Sequence, residues 1–318
     1  MEKCIVGIDL GGTKIAGAAA SRQGEILTQE TVATPKEGGT SVLEALRSLV
    51  ERLAAGKNLQ VIAVGIPGVV NLETGFVVSA GNIKWHQFPV ISYFQKEFPG
   101  VTIHMDNDVN VAARGELRFG AARGSSDFIY VTVGTGIGGG IYTGGRLLQG
   151  PCWAAGEVGH MVLKPDGRPC SCGGNGCLET LAAAPAFARE GRLEALREPG
   201  SLLHRLVAVA ENGEITAKML SEAYDRGDEA AIRAFDRCAG WLGIGMASLV
   251  NIFNPSLLVI GGGVSLAGDK LLKIVREKIK LYGMEVQAGH VEVVASGLKD
   301  MAGLYGAIAL GMEEDNKL

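Results

Sequence analysis

The chain of 318 residues lacks an excess of positive charge: Lys+Arg 30 against Asp+Glu 34 leaves a formal net charge of −4. Such a surface has little with which to gather phosphate backbones, so no nucleic-acid partner is expected. Long apolar runs are missing too. None approaches the roughly 20 residues that span a bilayer, so no membrane partner is expected. Met1 to Asp9 reaches a carboxylate before a signal-like apolar stretch is complete, and reads as strand rather than targeting peptide. Aromatics are few, at 6%, and charged residues make up 20% against 47% hydrophobic, a balance that excludes a disordered or fibrous chain. At about 150 residues per domain, the length suggests two domains.

Glycine is abundant: 47 residues, about twice the usual share of roughly 7%. The glycines cluster in turns, as they do where strands connect tightly or backbone must approach a ligand. Ile5–Asp9 is a short apolar run followed by Gly11-Gly12-Thr13 and a second run, Ile15–Ala20. This reads as strand, turn, strand. A third strand fits Ile26–Ala33, and Leu43, Leu46, Val50 and Leu53 give helical spacing to Ser41–Ala55. Val61–Ile66 is a strand closed by Pro67-Gly68. Val101–Met105 is another, running into Asp106-Asn107-Asp108 and a helix from Val109 to Phe119. The opening pattern then recurs about 125 residues on, as Ile129–Val133, Gly134-Thr135-Gly136 and Ile137–Tyr142. Two similar starts suggest two lobes of one architecture. A glycine-rich insertion occupies 144–178, and helices run through 181–250. Leu257–Ile260 opens onto Gly261-Gly262-Gly263, with a helix over Leu266–Tyr282, a strand at Val291–Ala295 and a last helix at Ala302–Met312. Strands mixed with crossover helices make an α/β class.

Several of these segments can carry chemistry. In Asp9-Leu10-Gly11-Gly12-Thr13-Lys14, a carboxylate at a strand end stands beside bare backbone, which suits Mg²⁺ next to phosphates. Gly7–Gly12 has Walker spacing, but Thr-Lys stands where Lys-Thr or Lys-Ser is needed. Gly134, Gly136 and Gly139 make a formal dinucleotide fingerprint, with Glu157 near the position of a ribose-binding acid. That turn must open a helix, and Ile141-Tyr142-Thr143 does not, so a second phosphate-binding hairpin is the reading. Gly261–Gly263 offers a floor that a base or ribose can approach; alone it is a plain tight turn. Asp108 at a helix start can be held ionised and accept a proton from a hydroxyl; alone it is a cap.

Six cysteines are present, and Cys4, Cys152 and Cys238 are scattered. The other three, Cys170, Cys172 and Cys177, lie within eight residues downstream of His160. Three thiolates and an imidazole complete a tetrahedral Cys₃His site with no position left open, which points to structural Zn²⁺ and a reducing cytoplasmic compartment. Glu157, His160 and Glu179, with Asn82 and Gly68 upstream, supply hydroxyl-binding groups suited to a polyol.

Together these residues resemble the ROK family of sugar kinases, most closely its bacterial glucokinases, over nearly the whole chain. Asp9–Lys14 and Gly134–Gly140 are similar to its two phosphate motifs. Asn107-Asp108 with Asn110, Ala112 and Ala113 resembles its catalytic segment. Glu157-Val158-Gly159-His160 and Cys170–Glu179 resemble its ExGH and CxCGxxGCxE signatures, while Gly81-Asn82-Ile83-Lys84-Trp85 is a looser version of its sugar-side loop. The resemblance implies an actin-like, ribonuclease-H-like pair of lobes: a small lobe over 1–119 joined by a C-terminal helix at 301–318, and a large lobe over 120–300. It implies ATP-dependent phosphorylation of glucose to glucose 6-phosphate. Asp108 would be the general base and Asp9 would organise Mg²⁺. Gly11, Gly12, Thr13, Lys14, Gly134, Thr135, Gly136, Gly261, Gly262 and Gly263 would serve the nucleotide. Gly68, Asn82, Asn107, Asp108, Glu157, His160 and Glu179 would hold the sugar, and His160, Cys170, Cys172 and Cys177 the zinc. A homodimer or homotetramer is implied. The rivals are a kinase for another hexose or an N-acetylhexosamine, and a sugar-sensing repressor; the latter carries an added N-terminal DNA-binding domain, for which the early first strand leaves no room.

Overall fold

A computed structural model of the chain describes residues 2–210 and 213–315; Met1 and residues 316–318 of the expected last segment lie outside the described residues. The first apolar run forms β1 (Lys3–Leu10), which turns back into β2 (Lys14–Ala20) and again into β3 (Ile26–Ala33). A crossover helix, α1 (Thr40–Ala54), buries Leu43, Leu46, Val50 and Leu53 on one face, as its spacing dictates. It delivers the chain to β4 (Asn58–Ile66), parallel to β1. A small antiparallel sheet of β5 (Val69–Asn71), β6 (Phe76–Ala80) and β7 (Trp85–Phe88) follows, then α2 (Val90–Glu97). The chain returns as β8 (Thr102–Asn107), parallel to β4, and leaves as α3 (Asp108–Phe119). The sheet order is β3-β2-β1-β4-β8.

The winding then repeats. β9 (Phe128–Val133), β10 (Ile137–Thr143) and β11 (Arg146–Leu147) form an antiparallel meander. The helical stretch comprises α4 (Leu178–Ala182), α5 (Ala184–Arg197), α6 (Leu202–Val209), α7 (Ala217–Asp225) and the long α8 (Glu229–Phe253). β12 (Leu257–Gly261) lies parallel to β9, and after α9 (Asp269–Tyr282) and α10 (Glu285–His290), β13 (Glu292–Ala295) lies parallel to β12. The order β11-β10-β9-β12-β13 reproduces the first sheet strand for strand. The helix expected from Leu266 begins at Asp269, because Gly268 has φ 71° and ends a short 3₁₀ turn over Gly263–Ala267.

The last helix, α11 (Ala302–Asp315), packs on β1, β4 and α3. It crosses α3 at backbone contact: a Cβ on Gly115 would stand 2.6 Å from the Ala302 carbonyl oxygen, so only glycine permits the approach. The two chain crossings between the sheets, at 120–127 and 296–301, meet on one fully buried carboxylate of α3. Glu116 accepts from Ala121 N (2.7 Å), Gly297 N (3.2 Å), Leu298 N (3.1 Å) and the Ser296 hydroxyl. Four donors satisfy a charge that would otherwise be costly to bury. Among the described residues, no helix is long and apolar enough to cross a membrane.

Candidate active site

Parallel strands in open α/β sheets leave their carboxyl ends as crevices. Here both sheets aim those ends at the same space. Asp9 lies next to the last residue of β1, Pro67-Gly68 follows β4, Asn107 ends β8 with Asp108 after it, Gly134–Gly136 follows β9, and Gly261 ends β12 with Gly262-Gly263 after it. A cavity of about 390 Å³ lies between them. Gly68, Asn82, Asn107 and Asp108 line it from the first half of the chain. From the second half come Gly134, Thr135 and Gly136, and also Glu157, His160 and Glu179. A second cavity, of about 180 Å³, holds Asp9 and Gly262 and shares Asp108, Val109 and Thr132 with the first. Asp108 thus stands in the partition between two spaces.

α3 begins at that partition, and its first residues divide the work. Asn107 is the cap: its Oδ1 accepts from Val109 N (2.9 Å) and Asn110 N (3.2 Å), and its Nδ2 donates to Gly68 O (3.0 Å). Asn107 therefore ties the helix start to the turn after β4. Asp108 is left with its carboxylate toward the cavities, accepting one bond from Val109 N (2.9 Å). Burial, with the nearby charge of Asp9, raises its pKa to about 6, against the pull of the Val109 amide. Burial also raises Asp9, opposed by Lys14. A cation between these two carboxylates would relieve both, so the donor set fits Mg²⁺.

One residue behind the cap was not visible as a site residue. Asp106 is buried and accepts from Asn107 N (2.7 Å) and Asn110 Nδ2 (3.1 Å), with Arg114 3.3 Å from its other oxygen. It holds the turn that presents Asp108. In sequence it merges with an Asp-Asn-Asp run that reads only as capping.

The four proposed zinc ligands converge: one donor atom from each of His160, Cys170, Cys172 and Cys177 lies within 4.8 Å of all the others. Cys172 Sγ and Cys177 Sγ are 3.7 Å apart, and His160 Nδ1 is 3.5 Å from Cys170 Sγ. A tetrahedral ion with Zn–S bonds of about 2.3 Å needs sulfurs about 3.8 Å apart. The residues fit zinc. Nδ1 faces the sulfurs while Nε2 faces the cavity side, 3.8 Å from Glu157. Glu179 lies two residues after Cys177, and its Oε2 accepts from Ile137 N (3.0 Å), joining the knuckle to the second glycine hairpin.

Not every expected residue lines these spaces. The Gly11-Gly12-Thr13-Lys14 turn is built as a hairpin, with Gly11 N donating to Lys14 O (2.9 Å) and Thr34 bonded to both Gly11 O (2.7 Å) and Thr13 O (3.0 Å). It lies outside both cavity walls, Gly12 facing Asn82. Gly261 is packed against the Tyr130 ring, whereas Gly262 reaches the smaller cavity. Gly263 belongs to a third cavity, of about 340 Å³, with Phe187, Ser221, Glu222 and Phe235 from α5, α7 and α8. Its mostly apolar walls suit a base. Sequence reasoning missed these residues, since each is an ordinary helix-face position and they are far apart in the chain.

Residues 5–314 match the family model described as ROK family. A glucokinase of Halalkalibacterium halodurans is 36% identical, with 100% of this chain and 97% of the relative covered. A xylose repressor of Caldicellulosiruptor bescii is 34% identical over 96% of this chain and 77% of its own length. The crystal structure of a ROK family glucokinase from Streptomyces griseus, in complex with glucose and AMPPNP, superposes with a TM-score of 0.85 at 35% identity, covering 98% and 99% of the two chains. The duplicated sheets and the family match lead to one conclusion: this chain belongs to the ROK family and has the two-lobed, actin-like fold of its sugar kinases.

Proposed function

We propose that the chain is an ATP-dependent hexose kinase that converts glucose to glucose 6-phosphate. The observation that carries the reading is the place of Asp108 in the wall shared by two cavities. One is lined by hydroxyl-binding groups and the Gly134–Gly136 turn, and the other by Asp9, Lys299, Asp300 and the backbone at Gly262 and Gly303. The glucokinase relative, covered to 97% of its length against 77% for the repressor, supports the same reading.

In this reading Asn107, Glu157, His160 and Glu179, with Asn82 and the Gly68 turn, orient the sugar so that its 6-hydroxyl meets Asp108. Asp108 takes that proton as the hydroxyl oxygen attacks the γ-phosphorus and the bond to the leaving ADP oxygen breaks. Mg²⁺ held at Asp9 would neutralise charge on the phosphates. The Gly134–Gly136 backbone, the Gly11–Lys14 turn after closure, and the Gly262-Gly263 floor serve the nucleotide, whose base suits the third cavity. Zinc on His160 Nδ1 would fix the tautomer, leaving Nε2–H to donate to a sugar hydroxyl. The same ion would anchor the segments carrying Glu157 and Glu179.

The lobes in this reading are 1–119 with the C-terminal helix, and 120–300. The packing of α11 on β1, β4 and α3 supports that division. Dimers or tetramers are supported by an exposed apolar group at the ends of α8, α9 and α10: Ile252, Leu281, Tyr282, Met284 and Val286. Three thiolates available to a metal suit a reducing cytoplasm, where glucose 6-phosphate enters glycolysis.

A coupled ADP-release assay with Mg-ATP across hexoses and N-acetylhexosamines tests the reading. Glucose should give the highest kcat/KM. Turnover of N-acetylmannosamine or N-acetylglucosamine without glucose would reassign the substrate, and sugar binding with no ADP release would favour a regulator.

A further inference from the structure

The zinc knuckle has a second neighbour. A separate cavity of about 280 Å³ carries Lys164, Arg168, Arg189 and Arg237 on its walls against one carboxylate, Glu190. Leu181, Cys238 and Trp241 supply apolar surface. Part of this charge is already balanced. Glu190 lies 3.5 Å from Arg189 and 2.9 Å from Arg237, Arg237 also meets Glu194 at 3.0 Å, and Arg189 Nη2 donates to Thr180 O (2.9 Å). Lys164 and Arg168 are different. Neither side chain has an ion pair or hydrogen bond among the described residues. They are the uncompensated cations of the cavity.

Their backbone is not loose. Lys164 N donates to Gly176 O (3.2 Å), and Gly176 N donates to Arg168 O (2.8 Å). Gly176 adjoins Cys177, and Arg168 lies two residues before Cys170. On the other side, the single turn of α4 places Glu179 in the sugar cavity and Leu181 in this one. The two cavities therefore share the knuckle and α4 as common structure.

We propose that this cavity binds a small phosphate-bearing anion, gripped by Lys164 and Arg168, and that its occupancy changes sugar affinity through the zinc knuckle and α4. A guanidinium fork and an ammonium match phosphate oxygens, and the apolar surface accommodates a carbon skeleton. The chemistry is shared by free phosphate and by a sugar phosphate, the product class of the reaction. The coupling to catalysis rests on the kinase reading; the binding does not.

Trp241 in the wall provides the test. Fluorescence of the whole protein is titrated with inorganic phosphate and, separately, with glucose 6-phosphate, at constant ionic strength set by chloride. A saturable change is expected, absent in Trp241→Phe. In Lys164→Ala/Arg168→Ala the midpoint should move about tenfold or more, the scale of one lost charge-assisted contact. Arg168→Lys keeps charge without the fork and should fall between. Tighter binding of glucose 6-phosphate identifies product as the occupant, and equal binding identifies free phosphate. Inorganic phosphate, which is not the sugar product, should shift glucose KM in the native chain and not in the double variant, whose anion-free kcat should match the native value. Absence of a saturable change, or identical titrations in native and double-variant protein, overturns the site. A glucose KM that ignores bound anion overturns the coupling. Protein that binds phosphate at this site but turns over no sugar would sink the kinase reading and leave the site standing.

Discussion

The two five-stranded sheets are wound alike, yet the ends of their matching first strands, β1 and β9, present opposite chemistry. The first sheet brings two carboxylates, Asp9 near the end of β1 and Asp108 just after β8, beside the Pro67-Gly68 turn that follows β4. The second ends in bare backbone, at Gly134–Gly136 and Gly261–Gly263. Side chains can take protons and hold cations, but they stand off the backbone. Amide N–H groups can cradle a phosphate only where no Cβ intervenes. In the proposed mechanism, one architecture used twice and decorated differently brings both kinds of group to one reacting atom. The first half supplies the base and the cation site in that mechanism, and the second half supplies backbone that phosphate can approach.

The largest effect should come from Asp108→Asn. The amide keeps the shape but cannot take the proton, so kcat should fall about 10²–10⁴-fold with glucose KM far less changed. A near-normal kcat would reduce Asp108 to a helix-start residue and dissolve the contrast between the halves. Next is Cys172→Ser. Metal analysis should find zinc lost or depleted, and glucose KM should rise about 10–100-fold while ATP KM moves less. A folded, zinc-free variant with native glucose KM would make the knuckle a remote staple.

A pair of glycine substitutions sharpens the backbone half. A Cβ on Gly134 meets nothing within 4 Å, so Gly134→Ala should keep the native Tm and raise ATP KM about tenfold, the scale of one hindered phosphate contact. Gly262 has φ 80°, and a Cβ there would stand 2.5 Å from Val133 O. Gly262→Ala should therefore lower stability by about 1–3 kcal/mol, read as a fall in Tm. Equal thermal losses in both variants would contradict the contrast between a glycine with open space for a Cβ and one without. The smallest effect on catalysis is expected from Glu116→Gln, which sets an NH₂ group against hydrogen-bond donors. Stability should drop by about 1–3 kcal/mol, measured by denaturant unfolding, because a buried donor is left unpaired.

Much of this arrangement is legible in the sequence because strand–turn–strand repeats are local. Ile5–Ala20 and Ile129–Tyr142 announce themselves by apolar runs around glycine. The zinc knuckle is local too, since three of its ligands fall within eight residues. What is not legible is what depends on distant chain segments. β5 and β7 are three and four residues long, too short for a period to emerge, and β7 carries Gln87 at φ 47°. The cavity around Phe187, Ser221 and Phe235 is assembled from three helices. Glu116 looks like an ordinary helix residue until four donors from two chain crossings are seen around it.

The proton-accepting role of Asp108 is most directly tested by the pH dependence of kcat/KM for glucose, measured from about pH 5 to about pH 8 in native protein and in Asp108→Asn. A carboxylate accepts a proton only when ionised; burial and Asp9 raise this one to about 6 in the metal-free site and Mg²⁺ beside Asp9 would draw it down, so activity is lost as pH falls through a value at or below about 6. The native profile should fall about tenfold per unit below that point and level off above it, while the residual activity of Asp108→Asn should show no such limb. An acid limb that persists unchanged in the variant would contradict the account.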